Sequence, residues 1–481
     1  MNPVRVRFAP SPTGFLHIGG LRTALYDFLF ARHSGGTFIL RIEDTDRNRL
    51  VEGAVENLIA SLQRLGLDID EGPGLGGDFG PYVQSERLEL YHREAQRLLD
   101  SGHAYHCFCT PQTLSQMREE QQRKGEFVKY DRRCRNLPPA EVQARLAQNE
   151  PHVVRLKMPD NRIFGFDDLI RGHVEMDAAQ SDDQVLIKSD GFPTYHLAAV
   201  VDDHHMQISH VIRGEEWLSS TPKHIWLHEC LGWQTPLWVH LPLILNPDRS
   251  KLSKRMNDVS VESYLQKGYL KEALLNFVAL LGWHGADDRE TFSLEELCAE
   301  FSLERVSKSG AVFDLTKLDW MNGWYLRNLP LEEVVERSLP WFEEEKLPLP
   351  DSATLARIVA AARERCTLLP EIAQYAKMFL RPAELSAADL AFLDAADSRK
   401  VLRWFQNQLP AEGEIDAASL DALVKNGMNE LGLKGKAYYT PLRLALIHQA
   451  HGPELHTTFA ILGLKEVQLR LAEALQDHNL T

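Results

Sequence analysis

Residues 4–20 read Val-Arg-Val-Arg-Phe-Ala-Pro-Ser-Pro-Thr-Gly-Phe-Leu-His-Ile-Gly-Gly. The alternation over residues 4–8 predicts a β-strand, and the spacing of apolar residues from Leu16 to Ala31 predicts a helix after the turn. Residues 37–42 predict a second strand. A strand, a helix and a second strand in such close succession form a βαβ unit, and this unit predicts a parallel sheet.

The junction between this strand and this helix is a candidate phosphate site. Helix N-termini present unpaired N–H groups and a partial positive charge. Gly19 and Gly20 have no side chains, so a flat base can approach their backbone closely. His17 can donate a hydrogen bond to a phosphate oxygen as charge develops on it. Taken alone, however, His-Ile-Gly-Gly is better explained as a tight turn with a helix-capping histidine.

A second segment, Lys251-Leu252-Ser253-Lys254-Arg255, follows a turn-rich stretch at residues 246–250 and predicts a basic loop. Most short basic runs are solvated surface loops. A mobile basic loop is also what the displacement of pyrophosphate requires, because phosphoryl chemistry is mostly positioning and charge neutralisation.

Together, the two segments resemble the HIGH and KMSKS motifs of class I aminoacyl-tRNA synthetases, in the order that this family has. Gly20 replaces the second histidine of HIGH, as it does in the glutamate branch. The resemblance implies three catalytic residues, His17, Lys251 and Lys254. It also implies that ATP with Mg²⁺ is bound by Pro10, His17, Gly19, Gly20, Trp217 and Lys254.

Other segments resemble the glutamyl and glutaminyl branch of this family, and the similarity spans nearly the whole chain. These segments are residues 8–14, 40–46, 193–195, 200–203 and 210–216. A glutamate side chain needs a fixed cation, which an arginine fork supplies best. The resemblance implies a glutamate pocket formed by Arg7, Ala9, Ser11, Glu43, Tyr195 and Arg213. In isolation, each of these residues is better explained as an ordinary structural residue, and it is the joint match that favours the pocket.

The succession of patterns predicts an α/β class I synthetase with a Rossmann-type catalytic domain, an inserted acceptor-binding domain and an all-helical C-terminal anticodon-binding region. The two catalytic halves are expected at 1–102 and 193–248, around an acceptor-stem-binding insertion at 103–192. A stem-contact domain with the KMSKS-like loop is expected at 249–324. Two helical anticodon-binding subdomains are expected at 325–380 and 381–481.

The helical pattern of the C-terminal region bears on the amino acid. In the family, this region is all-helical in bacterial glutamyl enzymes and a β-barrel in glutaminyl enzymes, so the pattern favours the bacterial glutamyl type. Arg365 matches an arginine that reads the third anticodon base in relatives, which is a contact that a guanidinium can make.

Three of the six cysteines keep the spacing of a zinc site found in some bacterial relatives: Cys107, Cys109 and Cys134. The pattern there is Cys-x-Cys followed by Cys-x-His, but Asn136 stands where the last ligand would be. Structural zinc nearly always takes four ligands. His103 or His106 could supply the fourth, and the sequence alone leaves zinc binding open.

Composition sets few limits. The net charge of −15 neither supports nor excludes an RNA partner, because a large acidic protein can carry a local basic track such as residues 117–136. No run of about 18 apolar residues predicts a membrane span. The N-terminus lacks the apolar run of a signal peptide, so we expect a cytoplasmic protein. The family expectation is a monomer.

The resemblance implies the activity of a glutamate–tRNA ligase. ATP activates L-glutamate to glutamyl-adenylate, and the glutamyl group passes to the 3′-terminal adenosine of tRNA(Glu), with release of AMP and pyrophosphate. The alternatives are a shortened paralogue that glutamylates a tRNA base, another nucleotidyltransferase of the superfamily, and an inactive RNA-binding protein. The helical C-terminal half argues against the first two, and the intact His17, Lys251, Lys254 and Arg213 argue against the third. The sequence leaves glutamylation of tRNA(Gln) open.

Overall fold

The computed structural model describes residues 3–126, 128–252, 260–413 and 415–476. The chain divides into two compact units, one formed by Met1–Tyr264 with Leu274–Leu315 and the other by Leu265–Ala273 with Thr316–Thr481. Lys254, one of the expected catalytic residues, lies outside the described residues.

The predicted βαβ unit opens the first compact unit. Strands β1 (Arg5–Phe8) and β2 (Thr37–Leu40) pair in parallel and are joined by helix α1 (Ile18–His33). All four residues of β1 are buried, because α1 covers the sheet with an apolar face that includes Leu21 and Leu25. Helices α2 (Ala54–Leu65) and α3 (Leu88–Asp100) follow.

The expected insertion, residues 103–192, consists mainly of antiparallel strands. Its elements are β3 (Ala104–Cys107), α4 (Pro111–Arg123), α5 (Pro139–Ala147), β4 (Val153–Leu156), β5 (Ile163–Asp168), β6 (Gly172–Asp177) and β7 (Val185–Ile187). Strands β3, β4 and β7 form one sheet, while β5 and β6 form a hairpin.

The expected second catalytic half, residues 193–248, resumes the α/β order. It contains α6 (Tyr195–His205), β8 (His210–Gly214), α7 (Thr221–Leu231) and β9 (Leu237–Leu241). Strands β8 and β9 are parallel, and β9 also pairs with β5, so the order of this sheet is β6-β5-β9-β8. The insertion is therefore continuous with the catalytic sheet. At the start of β8, the backbone N–H of Ser209 donates to the carbonyl of Arg5 at 2.9 Å and so brings the two halves together.

Short elements precede and follow the segment 251–255 in the chain. After β10 (Ile244–Leu245) come α8 (Val261–Gln266), α9 (Lys271–Ala279), α10 (Leu294–Glu300), β11 (Ala311–Val312) and α11 (Leu315–Asn328). Strands β10 and β11 pair in parallel. Helix α10 begins with a capping box, in which Ser293 and Glu296 satisfy each other's backbone N–H groups.

The second compact unit contains only helices among its described regular elements. From residue 331 onward, these are α12 (Leu331–Glu344), α13 (Ser352–Arg363), α14 (Leu369–Leu380), α15 (Ala387–Asp394), α16 (Ala396–Gln408), α17 (Ala417–Leu431), α18 (Lys436–Ile447) and α19 (Leu455–Ala474). Asp351, Ser386 and Asp416 cap helices with their side chains, which explains where those helices begin. The predicted fold class is confirmed.

No helix within the described ranges is both long enough and apolar enough to cross a membrane.

Candidate active site

A cleft of about 1140 Å³ in the first compact unit collects residues from distant parts of the chain. Most of the expected catalytic, ATP-binding and glutamate-binding residues line it: Arg7, Ala9, Ser11, His17, Gly19, Gly20, Glu43, Tyr195, Arg213, Trp217 and Lys251. Pro10 does not line it. Its carbonyl instead accepts a 3.0 Å hydrogen bond from the backbone N–H of Glu43, which joins the turn after β1 to the segment after β2.

His17 caps helix α1 at the edge of the cleft. Its Nδ1 accepts a 3.0 Å hydrogen bond from the backbone N–H of Gly20. In a neutral imidazole, the other nitrogen then carries the proton, so Nε2 is a donor. A Cβ atom at Gly19 would lie 3.2 Å from the His17 ring, so a side chain there would press on it. The capping role and the role of phosphate donor are therefore compatible.

Both flanks of residues 253–259 are anchored beside the cleft. On one side, the backbone N–H of Leu252 donates to the carbonyl of Ile244 at 2.9 Å. On the other side, the N–H of Val261 donates to the carbonyl of Leu16 at 3.0 Å, next to His17. Lys251 lines the cleft, and its Nζ lies 3.6 Å from a carboxylate oxygen of Glu216.

Arg7 lies on the floor of the cleft and is already neutralised. Its Nε donates to Asp203 Oδ1 at 3.0 Å, and Arg41 also donates to that oxygen, at 2.7 Å. Burial alone would raise the pKa of Asp203, but Arg7 and Arg41 outweigh this effect and lower the pKa to about 2. Arg41 also holds Glu43, with 3.0 Å between nitrogen and oxygen. Two residues of the expected glutamate pocket, Arg7 and Glu43, are thus parts of one buried ionic network.

Arg213 is buried as well, but its hydrogen-bond partners carry no charge. Nε donates to His240 Nε2 at 3.0 Å, and the terminal nitrogens donate to four acceptors on uncharged groups at 3.0–3.3 Å. These four acceptors are the Tyr195 hydroxyl, His224 Nδ1, the Trp217 carbonyl and the Thr221 hydroxyl. Among the described residues, no carboxylate forms an ion pair with Arg213.

The imidazoles around Arg213 are kept neutral. Burial lowers the pKa of His224 well below its ordinary value, and the charge of Arg213 lowers it further. Burial, Lys223 and Arg213 lower the pKa of His196 to about 3. The two rings are in contact, with 3.1 Å between His224 Nε2 and His196 Nδ1. Sequence reasoning missed these histidines because they lie outside the motifs.

The three expected zinc ligands lie together in the first unit. The sulfur atoms of Cys107, Cys109 and Cys134 all lie within 4.8 Å of one another, and those of Cys109 and Cys134 are 3.6 Å apart. Asn136 is exposed. The group beside the thiols is instead Tyr130, whose hydroxyl is 3.3 Å from Cys107 Sγ and 3.6 Å from Cys109 Sγ. Among the described residues, neither histidine offered as an alternative belongs to this cluster of candidate ligands.

Arg365, the expected anticodon contact, lies in the second unit. It follows the end of α13, and its side chain is exposed. An exposed guanidinium at the end of a helix is available to an RNA ligand.

Comparisons with known proteins agree with this architecture. Residues 3–320 match the model of the catalytic domain of class I tRNA synthetases (E and Q), and residues 333–475 match an anticodon binding domain. A glutamate–tRNA ligase of Alkaliphilus metalliredigens is 46% identical over 485 residues, with 98% of each chain covered.

Two solved structures are similar over nearly the whole chain. A glutamate–tRNA ligase of Elizabethkingia meningosepticum, crystallised with its amino acid, has a TM-score of 0.91 at 37% identity, covering 98% of this chain and 99% of that one. The glutamate–tRNA synthetase of Elizabethkingia anophelis has a TM-score of 0.89 at 38% identity, with 99% and 100% covered. The chain therefore belongs to the class I tRNA synthetases of the E and Q type.

Proposed function

We propose that this chain is a glutamate–tRNA ligase that activates L-glutamate with ATP and transfers it to the 3′-terminal adenosine of tRNA(Glu). The observation that carries the proposal is Arg213, a buried guanidinium at the cleft whose partners are all uncharged. A substrate carboxylate supplies the missing negative charge, and it competes well with neutral acceptors because charge-assisted hydrogen bonds are about twice as strong. The similarity to a glutamate–tRNA ligase at 46% identity supports the same substrate.

This arrangement predicts uneven selectivity. Glutamine offers Arg213 an amide in place of a carboxylate, and leaving a polar site unpaired rejects an analogue by roughly 10⁴-fold. Aspartate keeps the charge but lacks one methylene group, which is worth only about 1–3 kcal/mol. Glutamine should therefore be rejected more strongly than aspartate.

In the first step, an oxygen of the glutamate α-carboxylate attacks the α-phosphorus of ATP, and the bond to pyrophosphate breaks. His17 donates its Nε2–H to an α-phosphate oxygen, while the N–H groups at the start of α1 face the same charge. Bound together with ATP, Mg²⁺ would further neutralise the phosphates. Lys251 and Lys254 stabilise the leaving pyrophosphate.

In the second step, the 2′-hydroxyl of the terminal adenosine attacks the carbonyl carbon of glutamyl-adenylate, and AMP leaves with the bonding electrons. We assign acceptor-stem binding to residues 103–192, stem contacts to 249–324, and anticodon binding to 325–380 and 381–481 with Arg365. We also propose a cytoplasmic monomer, since protein synthesis takes place in the cytoplasm and a monomer is what the family leads us to expect.

We further propose that the cysteine cluster holds structural zinc. Thiolates bound at 2.3 Å to tetrahedral zinc lie about 3.8 Å apart. The 3.6 Å separation of Cys109 and Cys134 fits this geometry. Tyr130 is the candidate for the fourth ligand, because its hydroxyl contacts the sulfur atoms of Cys107 and Cys109. Zinc would tie β3 to the segment around residue 130.

The deciding experiment is glutamate-dependent exchange between ATP and pyrophosphate, measured with and without tRNA and followed by transfer of labelled glutamate to tRNA. We expect exchange and transfer with glutamate, and neither with glutamine. Exchange with glutamine at the same efficiency would contradict the assigned amino acid. A folded protein without exchange under either condition would favour a non-catalytic RNA-binding role.

A further inference from the structure

We infer that Asp168 and His240 act as positioning residues for Arg213, and that together they determine how strongly the cleft holds the side-chain carboxylate of its substrate. This inference rests on the proposed function, because it assigns that carboxylate to glutamate. Neither residue is part of a motif in the sequence, and Asp168 lies in the segment expected to bind the tRNA acceptor stem.

Asp168 is a buried carboxylate whose two oxygens are both fully engaged. Oδ1 accepts hydrogen bonds from the backbone N–H groups of Ile170 and Arg171, at 3.0 and 2.8 Å. Oδ2 accepts from the backbone N–H of His240 at 3.1 Å and lies 2.6 Å from His240 Nδ1. Burial alone would raise the pKa of Asp168, but the hydrogen bonds from His240 and the backbone lower it. An ionised carboxylate only accepts hydrogen bonds, so the Nδ1 of His240 must carry a proton.

The proton on Nδ1 determines whether Nε2 of His240 is a hydrogen-bond acceptor or donor toward Arg213. Burial lowers the pKa of His240, so the ring carries one proton and its Nε2 is an acceptor. This bare nitrogen lies 3.0 Å from Arg213 Nε, and it receives the Nε–H. In the opposite tautomer, Nε2–H would face the Nε–H of Arg213, donor against donor. Asp168 therefore selects the tautomer that fixes the plane of the guanidinium and directs its Nη1 toward the hydroxyl of Tyr195 at the cleft.

The neutral ring also separates two opposite charges. Arg7 touches the carboxylate of Asp203 directly, at 3.0 Å, so its charge is neutralised within the protein. Arg213 reaches Asp168 only through the imidazole of His240. Asp168 orients the guanidinium of Arg213 through His240 but forms no ion pair with it. The substrate carboxylate can therefore form a direct ion pair with Arg213. The amide of glutamine carries no charge and cannot form this ion pair. The Asp168–His240 pair therefore helps to determine the specificity for glutamate.

Asp168→Asn tests the role of the tautomer. The backbone N–H groups of Ile170 and Arg171 still need an acceptor, so the amide oxygen of the asparagine faces them. Its amide nitrogen then faces His240 Nδ1 and favours the tautomer in which Nε2 carries the proton. We expect the KM for glutamate in the exchange reaction to rise about 10- to 100-fold, as when a buried donor loses its acceptor. The KM for ATP should stay unchanged, and the preference for glutamate over glutamine should fall. A purely structural role of Asp168 would lower kcat and melting temperature without this selective change.

A pair of variants at residue 240 provides a second, independent measurement. Both His240→Gln and His240→Leu remove the imidazole, but Gln can still offer an oxygen to Arg213 Nε. We expect Leu to raise the KM for glutamate more than Gln does. His228→Leu is the matched control, because His228 is equally buried and contacts the backbone of His224 without touching Arg213.

The outcomes separate this inference from the proposed function. Absence of glutamate-dependent exchange in the wild-type protein would overturn the proposed function. Wild-type exchange together with an unchanged glutamate KM in Asp168→Asn would overturn the positioning role alone. Equal effects of Gln and Leu at residue 240 would also overturn it, and this comparison decides the matter if Asp168→Asn does not fold.

Discussion

Arg7 and Asp203 form a buried ion pair across the two catalytic halves, with 3.0 Å between Nε and Oδ1 and 196 residues between them in the chain. We expect Asp203→Asn to lower the free energy of unfolding by about 3–5 kcal/mol, because a buried cation is left without its anion. Chemical denaturation followed by tryptophan fluorescence measures the change. Glu120→Gln, which breaks the exposed pair with Lys124, is the control and should have no measurable effect. Equal stability of the two variants would show that the buried pair contributes nothing.

His17→Asn separates the capping role of His17 from its chemical role. Asparagine is a good N-cap residue, so α1 should keep its start and the melting temperature should hold. The asparagine side chain is too short to donate to the phosphate from the position of Nε2–H. The rate of adenylate formation should therefore fall about 10²- to 10³-fold. Pre-steady-state measurement of ATP consumption gives the rate. A variant with the wild-type rate would remove His17 from the chemical step.

Lys254→Ala tests the assignment of the basic loop. Loss of one charge beside the leaving pyrophosphate should slow adenylate formation by about 10²-fold or more, with little change in tRNA affinity. Rapid-quench kinetics and tRNA filter binding measure the two effects. Lys400→Ala removes an exposed charge in the second unit that pairs with Asp397, and it should leave the rate unchanged. Normal activation by Lys254→Ala would refute the assignment.

Zinc binding is checked by elemental analysis of the purified protein. We expect one zinc per chain, loss of the metal in Cys109→Ser, and weaker retention against a chelator in Tyr130→Phe. The drop in affinity for Tyr130→Phe should be at least about tenfold, a loss that even an outer contact to a metal ligand causes. Asn136→Ala should behave as wild type. If Asn136→Ala loses zinc and Tyr130→Phe keeps it, the ligand set proposed for this site is wrong.

The pH dependence of stability should carry the signature of His196. Its pKa is about 3 in the folded protein and about 6.5 when unfolded, so between these values the unfolded chain binds one more proton. The free energy of unfolding then increases with pH, by about 1.4 kcal/mol per pH unit for one such group. His196→Asn should make the slope shallower by that amount between pH 4 and 6, measured by urea titration.

The exposed His173 serves as the control for this slope. The hydrogen bond that His173 donates to Asp167 raises the pKa of His173, so His173 favours folding at low pH and opposes the effect of His196. His173→Asn should therefore not make the slope shallower. If both variants flatten it, the buried imidazole is not the cause.

Local patterns predicted much of the fold and part of the site. The βαβ unit and the position of His17 at the start of α1 follow from spacing and glycines within a few turns of chain. The roles of Asp168 and His240 could not be predicted in this way. They meet because β5 of the insertion pairs with β9, and that pairing brings together residues 72 positions apart. Tyr130 was missed for a similar reason, because its approach to the cysteines depends on the folding of a turn.

The ion pair that neutralises Arg7 could not be predicted from the sequence either. The resemblance marked Arg7 as the cation for a substrate, and it does line the cleft. Only the structure shows that Asp203 already neutralises it, since nothing near Arg7 in the sequence indicates that partner. Arg213 is consequently the stronger candidate for binding the substrate carboxylate.

The ionic network that joins the two catalytic halves also sets an order of events on the ribosome. Arg41 is synthesised 162 residues before the aspartate that receives its shortest hydrogen bond. At about 5–20 residues per second, translation needs roughly ten to thirty seconds to supply that carboxylate. During this interval, Arg7 and Arg41 lack the carboxylate that they share in the folded protein. The insertion is synthesised in the meantime, so β5 leaves the ribosome before β9, the strand with which it pairs.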